Sequence, residues 1–172
     1  MSFERGCRPA AVCVIAASFV LAGGVACATR PDSGSTASSQ AVVKVAYNKK
    51  LKQRILVNAE GLTLYLWTLD SGGKPTCYDD ATYHCSRAWP PLRSTDPHVA
   101  GKGVIASWLT TVPRTDGDPQ VSYRGHPLYT DAGSPANGLK RDRKPGDVNG
   151  QGFYNWYVVS PAGKAIRKIP HP

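Results

Sequence analysis

Residues 77 to 85 read CYDDATYHC: two cysteines bracket the adjacent aspartates Asp79 and Asp80 and the histidine His84. Such a segment supports three chemistries: a metal site, a redox-active dithiol or a covalent staple. Zinc takes four ligands, commonly from closely spaced cysteine pairs. Here one widely spaced pair would need Asp79 or Asp80, His84 and a distant residue such as His98 or His126 to complete the shell. The CxxC spacing that lowers a thiol pKa is also missing, which weighs against a redox role.

Cysteine arithmetic favours the staple. The chain has 172 residues and five cysteines, at positions 7, 13, 27, 77 and 85. Residues 1 to 26 carry Arg5 and Arg8 ahead of the uncharged run AAVCVIAASFVLAGGVA, the pattern of a removable export signal rather than of a membrane span. LAGGVAC then resembles a lipobox, in which Cys27 is lipidated on its thiol and becomes the mature N-terminus. Cys77 and Cys85 are left as an even pair in an oxidising compartment, where a disulfide is expected. Residues 28 to 41, ATRPDSGSTASSQA, read as a flexible tether spanning roughly 20 Å.

The formal charge is +9, and loss of two positive and one negative residue with the signal leaves +8. Outside the cytoplasm such a balance suits anionic lipid headgroups or acidic wall polymers, not nucleic acid. Much of it sits in LKRDRK (139 to 144) and in the C-terminal KAIRKIPHP, which read as solvated faces.

From residue 42 the chain is a succession of short β-type runs: VVKVAY, RILVN, LTLYLW, GVIASWLTTV, QVSYR, WYVV and KAIRKI. No stretch of helical length keeps a 3.6-residue apolar period, and 14 prolines and 17 glycines interrupt the chain. The fold class is therefore all-β, with short antiparallel strands and hairpins in one domain spanning 42 to 172. Turns are expected at AEG (59 to 61), TDGD (115 to 118), RG (124 and 125) and PAG (161 to 163). Alternation in LTLYLW places Leu62, Leu64 and Leu66 on a core face and Thr63, Tyr65 and Trp67 on a second, amphipathic one.

An internal repeat organises this domain. VNAEGLTLY (57 to 65) aligns without gaps to VSYRGHPLY (121 to 129) in the pattern VxxxGxxLY, and a tryptophan follows each copy, in AWPPL and NWYVV. Two related halves, about 54 to 95 and 113 to 163, are implied, neither of which buries enough apolar area alone.

On these residues the chain resembles the bacterial secreted-repeat lipoprotein family known by its Yx(FWY)xxD motif, whose function is not established. The motif stands here as Tyr65, Trp67 and Asp70, within GLTLYLWTLD, and CSRAWPPL follows it. The second half is similar in VPRTDGDPQVSYRGHPLY and PGDVNGQGFYNWYVVSPAG. There the motif has lapsed to YTDAGS, with Asp131 at the place of the aromatic and Ser134 at that of the aspartate. The resemblance implies an exported protein of related fold and names no activity.

Tyr65, Trp67 and Asp70 form either an aromatic platform with a carboxylate at its rim or a structural knot in which Asp70 holds the SGG turn. Trp89, beside two prolines, is expected to anchor in the core, and GDVNGQG (146 to 152) to be a tight loop. No GxSxG, HExxH, SxxK, P-loop or dinucleotide fingerprint occurs. The expectation is a non-enzymatic, membrane-anchored binding module without a cofactor, with Tyr65, Trp67 and Asp70 as contact residues. The competing expectation is a metal or redox protein built on the Cys77 and Cys85 loop.

Overall fold

A computed structural model describes residues 42 to 80, 84 to 96 and 99 to 169. The segments expected to be an export signal and a tether, with Cys27, and also His98, lie outside the described residues.

Seven short strands form three small antiparallel sheets. Strands β1 (Val43–Asn48) and β2 (Gln53–Asn58) make a hairpin in which Val43 faces Asn58. Its turn contains no glycine; Lys52 takes φ 54°, and the Asn48 side-chain oxygen accepts the Leu51 N–H at 3.0 Å. Leu51 folds back and is buried. Strand β3 (Tyr65–Trp67) pairs with β7 (Trp156–Val158), far apart in sequence. The third sheet joins β4 (Leu109–Val112), β5 (Gln120–Tyr123) and β6 (His126–Pro127). Between β5 and β6, Arg124 and Gly125 have φ 50° and 78°. Two successive positive φ values match the twist of a two-residue hairpin, and the RG dipeptide signalled that turn. One helical turn, α1 (Cys85–Ala88), and two 3-10 turns complete the described elements.

The expected strands GVIASWLTTV and KAIRKI are shorter than their sequence pattern. Residues 106 to 108 form a 3-10 turn, and only 109 to 112 enter a sheet. KAIRKI contributes a single bridge, Ala165 to Val159. Both lie at an edge, where side-chain alternation alone does not supply a pairing partner.

The two VxxxGxxLY segments meet in space. Tyr65 and Tyr129, equivalent positions of the two copies, pair with each other: each N–H donates to the other's carbonyl, at 2.9 and 3.0 Å. Around this pair the halves exchange segments. Leu92, three residues after Trp89, sits in the second half, donating to Leu128 O at 2.9 Å and accepting from Val121 N at 2.7 Å. Val159, three residues after Trp156, sits in the first, donating to Leu64 O at 3.0 Å and accepting from Leu56 N at 2.8 Å. The two docks differ by one residue of register, since the sequence equivalent of Val121 is Val57.

This exchange covers both faces of the central strands. Leu64, Leu66, Val121, Leu128 and Val159 fill one apolar cluster; Tyr65, Trp89, Tyr129, Trp156 and Val158 fill another. The face of LTLYLW expected to be amphipathic is thus a second core, apart from its last residue, Trp67, which is only partly buried.

Candidate functional site

Strand pairing brings three tryptophans into one stack. Trp67 on β3 lies opposite Trp156 on β7, with ring centroids 5.2 Å apart and planes 4° from parallel. On the other side of Trp156 lies Trp89, at 4.1 Å and 7°. Tyr129 meets Trp156 edge-on at 4.9 Å, and Tyr65 meets Trp89 edge-on at 5.3 Å. Offset stacks and perpendicular contacts both satisfy the aromatic quadrupole. The stack is consequently a rigid wall with Trp67 at its outer end.

That wall lines a half-open cleft of about 390 Å³. Phe153 and Tyr154 form a second side, meeting edge-on at 4.7 Å, and Tyr154 is 76% exposed. The Trp67 indole N–H donates to the Tyr154 carbonyl at 3.2 Å, which fixes this corner. Tyr78, Cys85 and Ala88 bring the disulfide loop and α1 into the lining, and Thr76, Asp80, Ser134 and Asn137 add polar and acidic groups to it. Its lining is mainly aromatic with a few polar groups and one carboxylate, a composition common in small-molecule sites.

The three motif residues separate in space. Trp67 lines the cleft. Tyr65 is fully buried between the halves, and its hydroxyl donates to Asp142 Oδ2 at 2.7 Å. Asp70 lies below the cleft: Oδ1 accepts the Thr76 N–H at 2.8 Å and its hydroxyl at 2.9 Å, and Oδ2 accepts the Tyr129 hydroxyl at 3.0 Å. The motif carboxylate therefore ties the turn of its own half to the tyrosine of the other. Burial raises the Asp70 pKa despite these hydrogen bonds, and burial with the nearby Asp70 charge raises Tyr129 far above the ordinary phenol range.

Cys77 and Cys85 are joined in a disulfide, so neither sulfur is a thiolate ligand. Within the loop, Asp79 is held by Arg87 Nε at 2.7 Å and lies 2.8 Å from His84 Nδ1. The Arg87 hydrogen bond, outweighing desolvation and assisted by His84, lowers the Asp79 pKa. Among the described residues no three His, Cys, Asp or Glu side chains are grouped to hold a metal ion.

Arg114 anchors the loop from behind and had no signal in the sequence beyond its place in VPRTDGD. Its side chain is buried, donating to the Cys77 carbonyl, Gln120 Oε1 and both oxygens of Asp116 at 2.7 to 2.8 Å. Its guanidinium also covers the Tyr78 ring at 4.1 Å. Hydrogen bonding from Arg114 holds the Asp116 carboxyl well below its ordinary pKa.

The residue of the second copy that aligns with Trp67 is Asp131. It is 3% exposed; Oδ1 accepts the Gly133 N–H at 2.7 Å, while Oδ2 is buried with no hydrogen-bond partner among the described residues. Burial, aided by the charge of Asp142, pushes its pKa up to about 7. Gly150 closes this side: a Cβ there would lie 2.5 Å from Trp89 and 3.1 Å from Asp131 Oδ2. The GDVNGQG loop is thus required to be lean at one position, where its backbone passes over the aromatic wall.

Residues 110–160 match the family model described as a secreted repeat of unknown function. The matched stretch runs from β4 to β7 and carries the second copy of the repeat, in agreement with the resemblance drawn from the motifs. The family's description as secreted supports export of the chain. No curated protein and no solved structure matches it. No helix of the described residues is long and apolar enough to cross a membrane.

Proposed function

We propose that this protein is an exported, lipid-anchored binding module that holds a small ring-bearing ligand in the cleft beside Trp67 and performs no chemistry on it. The observation that carries the proposal is the cleft itself: a concavity of about 390 Å³ walled by stacked tryptophans, with hydroxyl and amide groups and the Asp80 carboxylate in its lining. A rigid aromatic face accepts the apolar side of a ring at little conformational cost, and polar groups in the lining orient its polar edge. Asp70 and Tyr65 support this wall from below without lining it. A metal or redox reading of the disulfide loop has no comparable support, because its cysteines are bonded to each other and its Asp79 to Arg87.

Anchoring through Cys27 rests on the LAGGVAC pattern and on the family's secreted character. A Cys27→Ser variant is expected to leave the membrane fraction and to lose the mass of the acyl chains; retention at unchanged mass refutes the anchor. For the cleft, the soluble domain is titrated with mono- and disaccharides and with planar aromatic compounds while tryptophan emission is followed. Saturable quenching in the parent that is lost in Tyr154→Ala, a change at an exposed side chain, is the expected result. Unchanged titration curves in that variant and in Trp67→Ala refute the cleft as a binding site.

A further inference from the structure

Beside the cleft, across a short spur, runs a basic groove of about 700 Å³ lined by Lys140, Arg141 and Arg143. The spur, residues 134 to 139, closes on itself: Ser134 and Leu139 exchange backbone hydrogen bonds at 2.9 and 3.1 Å, and the Asn137 side chain donates to Ser134 Oγ at 3.0 Å. Ser134 and Asn137 face the cleft, Pro135 and Gly138 the groove, and Leu139 lines both. The two concavities are neighbours separated by one small wall.

The charge of this groove is not what LKRDRK suggests. Asp142 stands among the cations in sequence, yet it is turned inward, buried, with Tyr65 donating to Oδ2 and the Asn149 N–H to Oδ1 at 2.8 Å. Asp147, which also lines the groove, accepts the backbone N–H groups of Arg143 and Lys144 and lies 3.7 Å from Lys50 Nζ. The side chains of Lys140, Arg141 and Arg143 are exposed and form no ion pair among the described residues. Three outward cations are thereby left with their acidic neighbours already engaged. Uncompensated cations along a concave surface focus field and favour anions, and arginine matches carboxylate and phosphate oxygens in pairs.

We infer that the ligand of this protein is an anionic glycan, seated with one sugar ring against Trp67 and Tyr154 and with the acidic group of the next unit on Lys140, Arg141 and Arg143. This rests on the cleft being a ligand site and adds the ligand's class and direction. The C–H face of a pyranose is apolar and suits the negative face of an indole, while its hydroxyls reach Thr76, Ser134 and Asn137. The mature chain's net charge of +8 favours approach of such a polymer. A bilayer fits less well: apart from Tyr154, the aromatic side chains of this site are half-buried or buried within a concavity, where they cannot enter lipid.

The test uses the mature chain with Cys27→Ser to remove the acyl requirement. Four probes are titrated calorimetrically at low and high salt: oligogalacturonate, its neutral methyl ester, inorganic polyphosphate and phosphatidylglycerol vesicles. Oligogalacturonate should bind at least tenfold more tightly than the methyl ester, with the advantage lost at high salt as charge is screened. The triple change Lys140→Ala, Arg141→Ala, Arg143→Ala, all at exposed side chains, should abolish that advantage and leave methyl-ester binding intact. Tyr154→Ala should weaken both saccharides. If the triple variant keeps full preference for oligogalacturonate, the groove inference fails while the cleft stands. If Tyr154→Ala and Trp67→Ala change nothing, the cleft fails as well. Equal or tighter binding of polyphosphate shows a charge patch without sugar recognition, and binding of vesicles alone assigns the face to lipid; either result overturns the glycan.

Discussion

Asp131→Asn removes a buried titrating group that interacts with Asp142. Asp131 is 3% exposed, with one carboxylate oxygen unpartnered, and its pKa rises from 3.8 to about 7 through burial and then the charge of Asp142. For an acid whose folded pKa lies above its unfolded value, the unfolded chain loses its proton first as pH rises. Folding is then penalised progressively between the two values, so this stability is complete below the unfolded pKa and gone above the folded one. With 1.36 kcal/mol per pH unit, the penalty saturates at about 4 kcal/mol above neutrality and grows by roughly 2 to 3 kcal/mol between pH 5 and 8. Asparagine keeps the oxygen that accepts the Gly133 N–H and removes the charge. Urea unfolding of parent and variant at both pH values, with the disulfide intact, should give a parent-minus-variant stability that falls by that amount as pH rises. Asp79, Asp116 and Asp147, whose pKa values are lowered, complete their titration below this window and are common to both proteins. A difference that stays constant from pH 5 to 8 refutes the reasoning, whatever constant cost the amide itself imposes.

Three further outcomes follow from the contacts. Replacing Cys77 and Cys85 together by serine opens the loop they close and should lower stability by about 2 to 3 kcal/mol in the chain-entropy account, read from the urea midpoint against the parent with its disulfide intact. Asp70→Ala leaves the buried Tyr129 hydroxyl unpaired and should cost about 1 to 3 kcal/mol, whereas Asp70→Ala on a Tyr129→Phe background should cost less; equal costs on both backgrounds would show the two residues uncoupled. Arg114→Ala removes four hydrogen bonds to Cys77, Gln120 and Asp116 and should destabilise by about 3 to 5 kcal/mol in a thermal melt, with its effect reaching the cleft through Tyr78.

The strands and the RG turn were legible because they are local. Period-two alternation and a φ-demanding dipeptide carry their own physics, and β1, β2, β5 and the hairpin at Arg124 and Gly125 stand where those signals put them. The VxxxGxxLY pattern was visible in the sequence, but the exchange of segments around it was not. Trp89 lies 24 residues after Tyr65, whereas Trp156 lies 27 after Tyr129, so a gapless alignment cannot carry both tryptophans. Only their shared contacts reveal that Leu92 and Val159 are equivalent. Trp67 could be singled out from its motif, yet Tyr65 and Asp70 share that motif and face inward. Asp142 was hidden for the opposite reason: among four cations it reads as solvent-facing, and nothing local announces a buried tyrosine 77 residues away.

The lapse of the motif in the second copy changes what stands at the position that aligns with Trp67. The alignment matches Trp67, which lies opposite Trp156, to Asp131, whose Oδ2 lies with Trp89 around Gly150. At the first place an indole extends the stack outward and the surface stays open. At the second, a carboxyl replaces the indole, and the chain around Gly150 packs down over Trp89, its N–H reaching the Tyr65 hydroxyl at 3.3 Å. The same loop brings Asn149, whose N–H holds Asp142 and thereby keeps the cations of the basic groove unopposed. The indole at position 67 thus goes with an open aromatic surface, and the carboxyl at position 131 with a closed, charged one. An aromatic at position 131 would collide with the chain at Gly150, so Asp131→Trp should unfold the domain instead of creating a second site, while Asp131→Asn should fold with the cleft intact.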